Sequence, residues 1–180
     1  MYGIVNKAIQ GLVTENFGLE KWNQIKVHSG IADDLFISNE PYDDSITYKL
    51  AGSASHILGL SLREVLLAFG RYWIHNTGHQ HYGSLMLTGG RNLREFLINL
   101  PNFHSRVMLV YPSITPPEFR TQAINEKELH IHYYSTRMGL TDFAEGLIIG
   151  LAEAFHESVS VALLQAKKSK DEADIFKISW

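Results

Sequence analysis

The 180-residue chain contains no cysteine, and this absence removes several kinds of chemistry at once. Disulfide bonds, iron–sulfur clusters, thiolate-ligated cofactors and zinc sites built from thiolates are all excluded. The chain has nine histidines, so histidine is the strong metal ligand that remains. Any metal chemistry is therefore expected to depend on imidazole nitrogens.

Long apolar runs and strong net charge are also missing. No apolar stretch reaches the roughly 20 residues that a membrane-spanning helix needs, so no membrane insertion is expected. The formal net charge is −3, which does not favour nucleic-acid binding. Met1-Tyr2-Gly3 leads directly into a polar-striped helix pattern, so no signal peptide is predicted and the cytoplasm is the expected location.

The order of the predicted elements indicates an α+β fold. Helical periodicity dominates the first half, and two hairpins with a helix between them follow in the second half. A single domain over residues 1–180 is therefore predicted, with a helical N-terminal subdomain over residues 1–60. Residues 61–180 are predicted to form a subdomain with a four-stranded antiparallel sheet and packed helices.

Local signals predict where several elements begin and end. Pro41 is expected to open the third helix, and Ser61 with Glu64 forms a capping-box pattern for the fourth. Residues 76–78 are expected to end that helix, and Pro101 to kink or restart a later one. The charged run at residues 167–170 is predicted to be an exposed turn.

One row of side chains suggests a ligand. If residues 129–137 form a strand, Tyr133, Ser135 and Arg137 point the same way and span roughly 13 Å. A phenol, a hydroxyl and a guanidinium in line suit a ligand with two carboxylates at a fixed separation. Haem has two such propionates, and His104, on the apolar face of its helix, could supply the axial base for its iron. The same row could also be a solvated sheet face.

Several short motifs occur together, in order, along nearly the whole chain: Met1-Tyr2-Gly3 with Val5-Asn6, Asn102-Phe103-His104-Ser105-Arg106, Pro116-Pro117, Tyr133-x-Ser135-x-Arg137, Gly139-Leu140 and Gly146-Leu147. With these motifs the chain resembles the H-NOX family. That family comprises haem domains that bind nitric oxide or oxygen and includes the sensor domain of soluble guanylate cyclase.

The resemblance implies a site with non-covalent haem b between the two subdomains. His104 would be the proximal iron ligand, and Pro116 would press on the porphyrin. Three residues would hold the propionates: Tyr133, Ser135 and Arg137. Val5 and Trp73 would belong to the distal wall formed by the first helices.

The resemblance also suggests which gas is bound. In oxygen-binding members a distal tyrosine donates a hydrogen bond to the ligand, and by spacing the corresponding residue here is Phe143, which has no donor. A nitric oxide sensor that also admits carbon monoxide but discriminates against oxygen is therefore expected. The indole N–H of Trp73 is the one donor that could favour weak oxygen binding.

The expected role is signalling rather than catalysis. Nitric oxide would weaken the bond to His104 and shift the two subdomains relative to each other, a two-state response of the kind that signalling requires. The output is expected to come from a separate protein, a histidine kinase or a cyclic-dinucleotide enzyme.

Three alternatives are compatible with the residues. The first is a non-haem metal protein or enzyme that uses His75, His79 and His81, or His130 and His132, which have ligand-like spacings. The second is a module that binds another dianion through the Tyr-Ser-Arg row. The third is an interaction module without a ligand.

Overall fold

The computed structural model describes residues 1–31, 35–110 and 116–180. Six helices come first: α1 (Gly3–Phe17), α2 (Leu19–Ser29), α3 (Asp44–Leu58), α4 (Leu62–Tyr72), α5 (His79–Leu87) and α6 (Leu93–Val110), with a π-helical segment (Trp73–Gly78) joining α4 to α5. Then follow β1 (Glu118–Asn125), β2 (Glu128–Tyr134), α7 (Thr141–Ala154), β3 (Ser160–Gln165) and β4 (Ala173–Ser179). The predicted α+β order is confirmed.

The strands form one antiparallel sheet in the order β1-β2-β4-β3. Residues alternate between buried and partly exposed along β2, which is the period-2 pattern of a sheet with one face on a core. Tyr133 on β2 lies opposite Phe119 on β1 and opposite Asp174 on β4. This register places the end of β2 between two buried neighbours.

The observed helix ends agree with the sequence predictions except at three places. The capping box of Ser61 and Glu64 is present in full. The third helix begins at Asp44 rather than near Pro41, because the Asp43 carboxylate caps it by accepting from Ser45 N. Residues 76–78 do not end a helix, since the π-helical segment carries the chain on into α5.

The third difference concerns α6, which runs through Pro101 from Leu93 to Val110 without a restart. Proline removes one N–H from the helical ladder. Packing compensates for this loss, because Leu97, Leu100 and Val107 on the inner face are all buried. Among the described residues, no helix combines the length and apolar character that crossing a membrane requires.

Helices α4 and α7 cross at close range because each has glycine at the contact. A Cβ on Gly70 would lie 2.4 Å from the Phe143 carbonyl oxygen, and a Cβ on Gly146 would lie 2.4 Å from the Leu67 carbonyl oxygen. Real Cβ atoms do not approach backbone this closely. The close approach of the two helices therefore determines the position of Phe143, which lies on α7 at this contact.

Two hydrophobic cores are present. One packs α1 to α4, with Ile9, Ile25 and Leu50 at its centre. The other packs α6 and α7 against the sheet, with Leu97 and Ile131 at its centre. The large cavity of the fold is lined by members of both cores, so it lies where they meet. The division of the chain at residue 60 stays a prediction.

Candidate functional site

The cavity between the two cores has a volume of about 290 Å³ and a largely apolar lining. That volume lies near the lower end of the range for small-molecule sites, about 300–1,000 Å³. All eight residues predicted for the site line it: Val5, Trp73, His104, Pro116, Tyr133, Ser135, Arg137 and Phe143. They come from six separate parts of the chain, so only the fold brings them together.

His104 is the metal-ligand candidate in this cavity. Its Nδ1 lies 3.2 Å from the carbonyl oxygen of Leu100, one turn earlier in α6. Because a carbonyl only accepts, Nδ1 must carry the proton, which leaves the lone pair on Nε2. The ring stacks on Phe119 with centroids 5.2 Å apart and planes 7° apart. Both contacts hold the imidazole in the tautomer and orientation that a metal ligand needs.

Burial lowers the pKa of His104 to about 4, although its hydrogen bond to Leu100 acts in the opposite direction. At neutral pH the imidazole is therefore uncharged. A neutral imidazole is the form that coordinates iron.

The same shift makes the haem-free protein sensitive to acid. Between about pH 6.5 and 4 the unfolded chain binds a proton at His104 that the folded chain does not. The free energy of unfolding therefore decreases as the pH is lowered through that window, by up to about 3 kcal/mol in total. Urea unfolding of the haem-free protein at pH 7.5, 6 and 5 is expected to show this loss. A His104→Leu variant is expected to show a smaller slope there, and equal slopes would contradict the prediction.

Tyr133, Ser135 and Arg137 meet at the cavity, but not as one strand. The strand β2 ends at Tyr134, so the prediction of an extended row through Arg137 was wrong. The backbone turns instead, because Ser135 Oγ accepts the N–H of Arg137 at 3.1 Å. Burial raises the pKa of Tyr133 to about 12, so its hydroxyl keeps its proton and remains a donor. The turn still presents all three donors to one cavity.

Arg137 also connects the turn after β2 to the start of α3. Its Nε donates to Asp44 Oδ2 at 3.0 Å, and the other oxygen of Asp44 is bound by the N-terminal ammonium of Met1. Burial acts to raise the pKa of Asp44, yet the hydrogen bond from Met1 and the charge of Arg137 hold it below its usual value. Asp44 is thus a charged neighbour of the site, and it was not among the residues predicted for it.

Lys167 was predicted to lie in an exposed turn, and this was wrong. The side chain is buried, with 7% of the residue exposed. Its Nζ donates to the carbonyl oxygens of Ser135 at 2.7 Å and Arg137 at 2.8 Å. No local signal distinguishes Lys167 from the exposed lysines beside it.

Asp174 is a second residue near the site that the sequence analysis missed. A local signal for its burial did exist, because it is a carboxylate on the buried face of a strand with Phe176 and Ile178.

The part of the wall around Phe143, formed by α1, α4 and α7, is apolar. Phe143 packs on Phe69 with centroids 4.7 Å apart, and Trp73 meets Phe69 edge-on at 6.3 Å. Val5 and Leu147 complete this part of the lining. The Phe143 ring offers no hydrogen-bond donor to a molecule in the cavity, whereas Trp73, which also lines it, carries an indole N–H donor.

The histidines of the alternative metal sites do not converge. His75 pairs with Glu153 at 2.9 Å and His130 with Glu128 at 2.9 Å, while His79 is exposed. Within residues 1–31, 35–110 and 116–180, no group of three or more metal-binding side chains is found. These pairs are typical of surface ion pairs.

A family model described as haem-NO-binding matches residues 2–163. The chain belongs to the H-NOX family. H-NOX domains are haem-based gas sensors, and the family binds haem. The neutral, tautomer-fixed His104 and the donors of Tyr133, Ser135 and Arg137 fit such a group, because they offer an axial base and partners for two carboxylates on one cavity.

The H-NOX chain is similar to guanylate cyclases of animals. Soluble guanylate cyclase gcy-31 of Caenorhabditis elegans is 26% identical over 165 residues, which cover 91% of this chain and 24% of that protein. Soluble guanylate cyclase 89Db of Drosophila melanogaster is 22% identical over 87% of this chain and 23% of its own length. The chain therefore spans about a quarter of the cyclases it matches.

Solved H-NOX structures share the fold. An H-NOX protein from S. oneidensis in the Fe(II)NO ligation state has a TM-score of 0.88 at 19% identity, covering 99% of this chain and 98% of its own. The Fe(II) unliganded H-NOX protein from K. algicida has a TM-score of 0.86 at 25% identity, covering 99% and 96%. The predicted fold class is thereby confirmed.

Proposed function

We propose that this H-NOX domain is a nitric oxide sensor that holds non-covalent haem b in the cavity between its two cores. The observation that carries the proposal is His104, whose Nδ1 is committed to Leu100 and whose Nε2 keeps its lone pair on the cavity. Bound haem would supply a ferrous iron with one coordination position open to a diatomic gas.

The protein's own groups have distinct tasks in this proposal. His104 would be the single protein ligand of the iron, so the reduced haem would be five-coordinate. Tyr133 and Ser135 donate from neutral hydroxyls, and Arg137 donates paired, charge-assisted hydrogen bonds to a propionate. Pro116, which belongs to the same lining, would press on the porphyrin face.

The apolar wall determines gas preference. Nitric oxide and carbon monoxide bind ferrous iron without help from a hydrogen-bond donor, whereas oxygen needs one. Phe143, Leu147 and Val5 offer none. The aromatic pair of Phe143 and Phe69 also excludes water from this side. The proposal is therefore selective binding of nitric oxide, with carbon monoxide as a second ligand.

Absorption spectra of the reduced protein test this function. A five-coordinate spectrum that shifts when nitric oxide or carbon monoxide is added, and does not form a stable oxygen complex in air, is expected. A colourless protein that contains zinc would instead favour the non-haem alternative based on His75, His79 and His81 or on His130 and His132. A stable oxygen complex would contradict the gas preference alone.

Adding a donor to the apolar wall should change the gas preference. The Phe143→Tyr variant is expected to bind oxygen when reduced, because a hydrogen bond to a strongly polar acceptor is worth about 1.5–3 kcal/mol, or about ten- to a hundredfold in affinity. Oxygen titration followed by absorbance measures this. Phe143→Leu is the matched control, since it opens space without a donor. Equal oxygen binding by the two variants would contradict the assignment of this wall.

The proposed signal passes to a separate effector, a histidine kinase or a cyclic-dinucleotide enzyme. Arg137 and Asp44 link the turn after β2 to the start of α3, so a change at the site can alter how these two segments are held together. Kinase autophosphorylation or cyclic-dinucleotide turnover, measured with the unliganded and the nitric oxide-loaded protein, tests the signalling. No difference between the two states would contradict it.

A further inference from the structure

Lys167 is a buried ammonium that lies directly behind the residues proposed to hold the propionates. It belongs to the connection between β3 and β4, far along the chain from the turn it contacts. Its Nζ donates to the carbonyl oxygens of Ser135 and Arg137, at 2.7 and 2.8 Å. These carbonyls belong to the two residues whose side chains face the cavity from that turn.

The backbone of Lys167 is anchored as well. Its N–H donates to Asp174 Oδ1 at 2.9 Å, and Thr141 Oγ1 donates to the same oxygen at 3.0 Å. Asp174 is fully buried and lies opposite Tyr133 in the sheet. The Lys167 ammonium also lies 5.4 Å from the centre of the Tyr133 ring. Lys167 therefore contacts the backbone of two of the proposed propionate partners, Ser135 and Arg137, and lies near the ring of the third, Tyr133.

Burying a lysine ammonium is costly unless its donors are used. Burial lowers the pKa of Lys167, and the charge of Asp174 opposes that effect. The carbonyls of Ser135 and Arg137 lie beyond the end of β2 at Tyr134, outside the regular strand pairing. Lys167 gives both carbonyls a partner and so holds the turn in one conformation.

We propose that Lys167 is a positioning residue for haem binding: by clamping the Ser135 and Arg137 carbonyls it orients their side chains toward the two propionates. The inference rests on the proposed function of the cavity. Lys167 touches no substrate or iron in this view, and it acts only through the turn. Its loss should therefore weaken the hydrogen bonds from Ser135 and Arg137 to the propionates and leave the proposed bond between His104 and the iron in place.

The test compares Lys167→Met with Lys168→Met, its exposed neighbour of the same residue type. Haem-loaded proteins are mixed with an apoprotein that captures free haem, and the dissociation rate is followed by absorbance. Lys167→Met is expected to release haem about tenfold faster than the wild type, since both charge-assisted hydrogen bonds that hold the turn are lost. Lys168→Met is expected to match the wild type.

A second arm separates positioning from general loss of structure. The same proteins are loaded with haem dimethyl ester, whose esterified propionates cannot accept charge-assisted bonds from the turn. If Lys167 acts through the hydrogen bonds between the turn and the propionates, Lys167→Met should not speed the release of the esterified haem. The comparison has the logic of a double-mutant cycle, in which the second change has no effect once the interaction is absent. Resonance Raman bands of the propionates should shift in Lys167→Met with ordinary haem, while the band of the iron–histidine bond stays in place.

Each outcome is decisive. Equal release from Lys167→Met and Lys168→Met would overturn the inference, and so would equal acceleration with both forms of haem. A wild-type protein that retains no haem would overturn the proposed function itself. If circular dichroism shows that Lys167→Met does not fold, Lys167→Gln, which keeps a donor but loses the charge, takes its place in the same assays.

Discussion

Replacing His104 with glycine is expected to abolish the protein's own axial bond to haem iron and to let free imidazole restore it. The Leu100 carbonyl and the Phe119 ring hold the wild-type imidazole from two sides, so its removal leaves a ring-sized space at the iron. Even groups that only hydrogen-bond a metal's ligands change metal affinity by about 10–100-fold. Loss of the ligand itself should exceed that, measured as haem retained after gel filtration.

The spectrum of reduced His104→Gly should return to the wild-type form when imidazole is added. His79→Gly is the control, because His79 is an exposed histidine that also lies in a helix. It is expected to retain haem and its spectrum, with only the stability cost of glycine in a helix. A His104→Gly protein with an unchanged spectrum and no response to imidazole would exclude His104 as the ligand.

The second large effect is expected at the crossing of α4 and α7. A Cβ on Gly146 would meet the Leu67 carbonyl oxygen at 2.4 Å and the Gly70 Cα at 3.1 Å, both backbone atoms. Gly146→Ala must therefore push the helices apart, and overpacking of this kind costs roughly 1–3 kcal/mol. For a chain of this size each kcal/mol lowers Tm by about 2–4 °C, which thermal unfolding can measure.

Displacement of α7 should also reach the cavity, since that helix carries Phe143 and Leu147 on its wall. Gly52→Ala is the matched control: Gly52 is exposed within α3 and a Cβ there meets nothing within 4 Å. It is expected to stabilise the protein by up to about 1 kcal/mol, because alanine is the better helix former. A Gly146→Ala protein as stable as Gly52→Ala would contradict the close crossing.

Much of the fold was predictable because its signals are local. The capping box at Ser61, the glycine at position 18 with φ of 88° after α1, and the alternation along β2 all depend on neighbours within a few residues. Some errors arose where tertiary packing overrode a local rule. Pro101 failed to interrupt α6 because its flanking leucines are buried.

The site shows the same division. His104, Tyr133, Ser135 and Arg137 were identified from short motifs, and the structure gathers them on one cavity. Asp44 and Lys167 escaped notice because nothing near them in the chain marks their partners, whereas Asp174 was missed although its place on the buried face of β4 was a local signal. Asp44 is 93 residues from Arg137, and the Nζ of Lys167 reaches back 30 and 32 residues to the turn.

The amino-acid sequence by itself determined the element types, the absence of thiol chemistry and the imidazole and donors that suit haem, because these follow from residue identity and periodicity. Only the tertiary structure decided that β2 stops at Tyr134, that the turn beyond it is clamped by Lys167, and that two cores leave a cavity between them. Those features depend on hydrogen bonds and packing between residues far apart in the chain, whose partners no local pattern encodes.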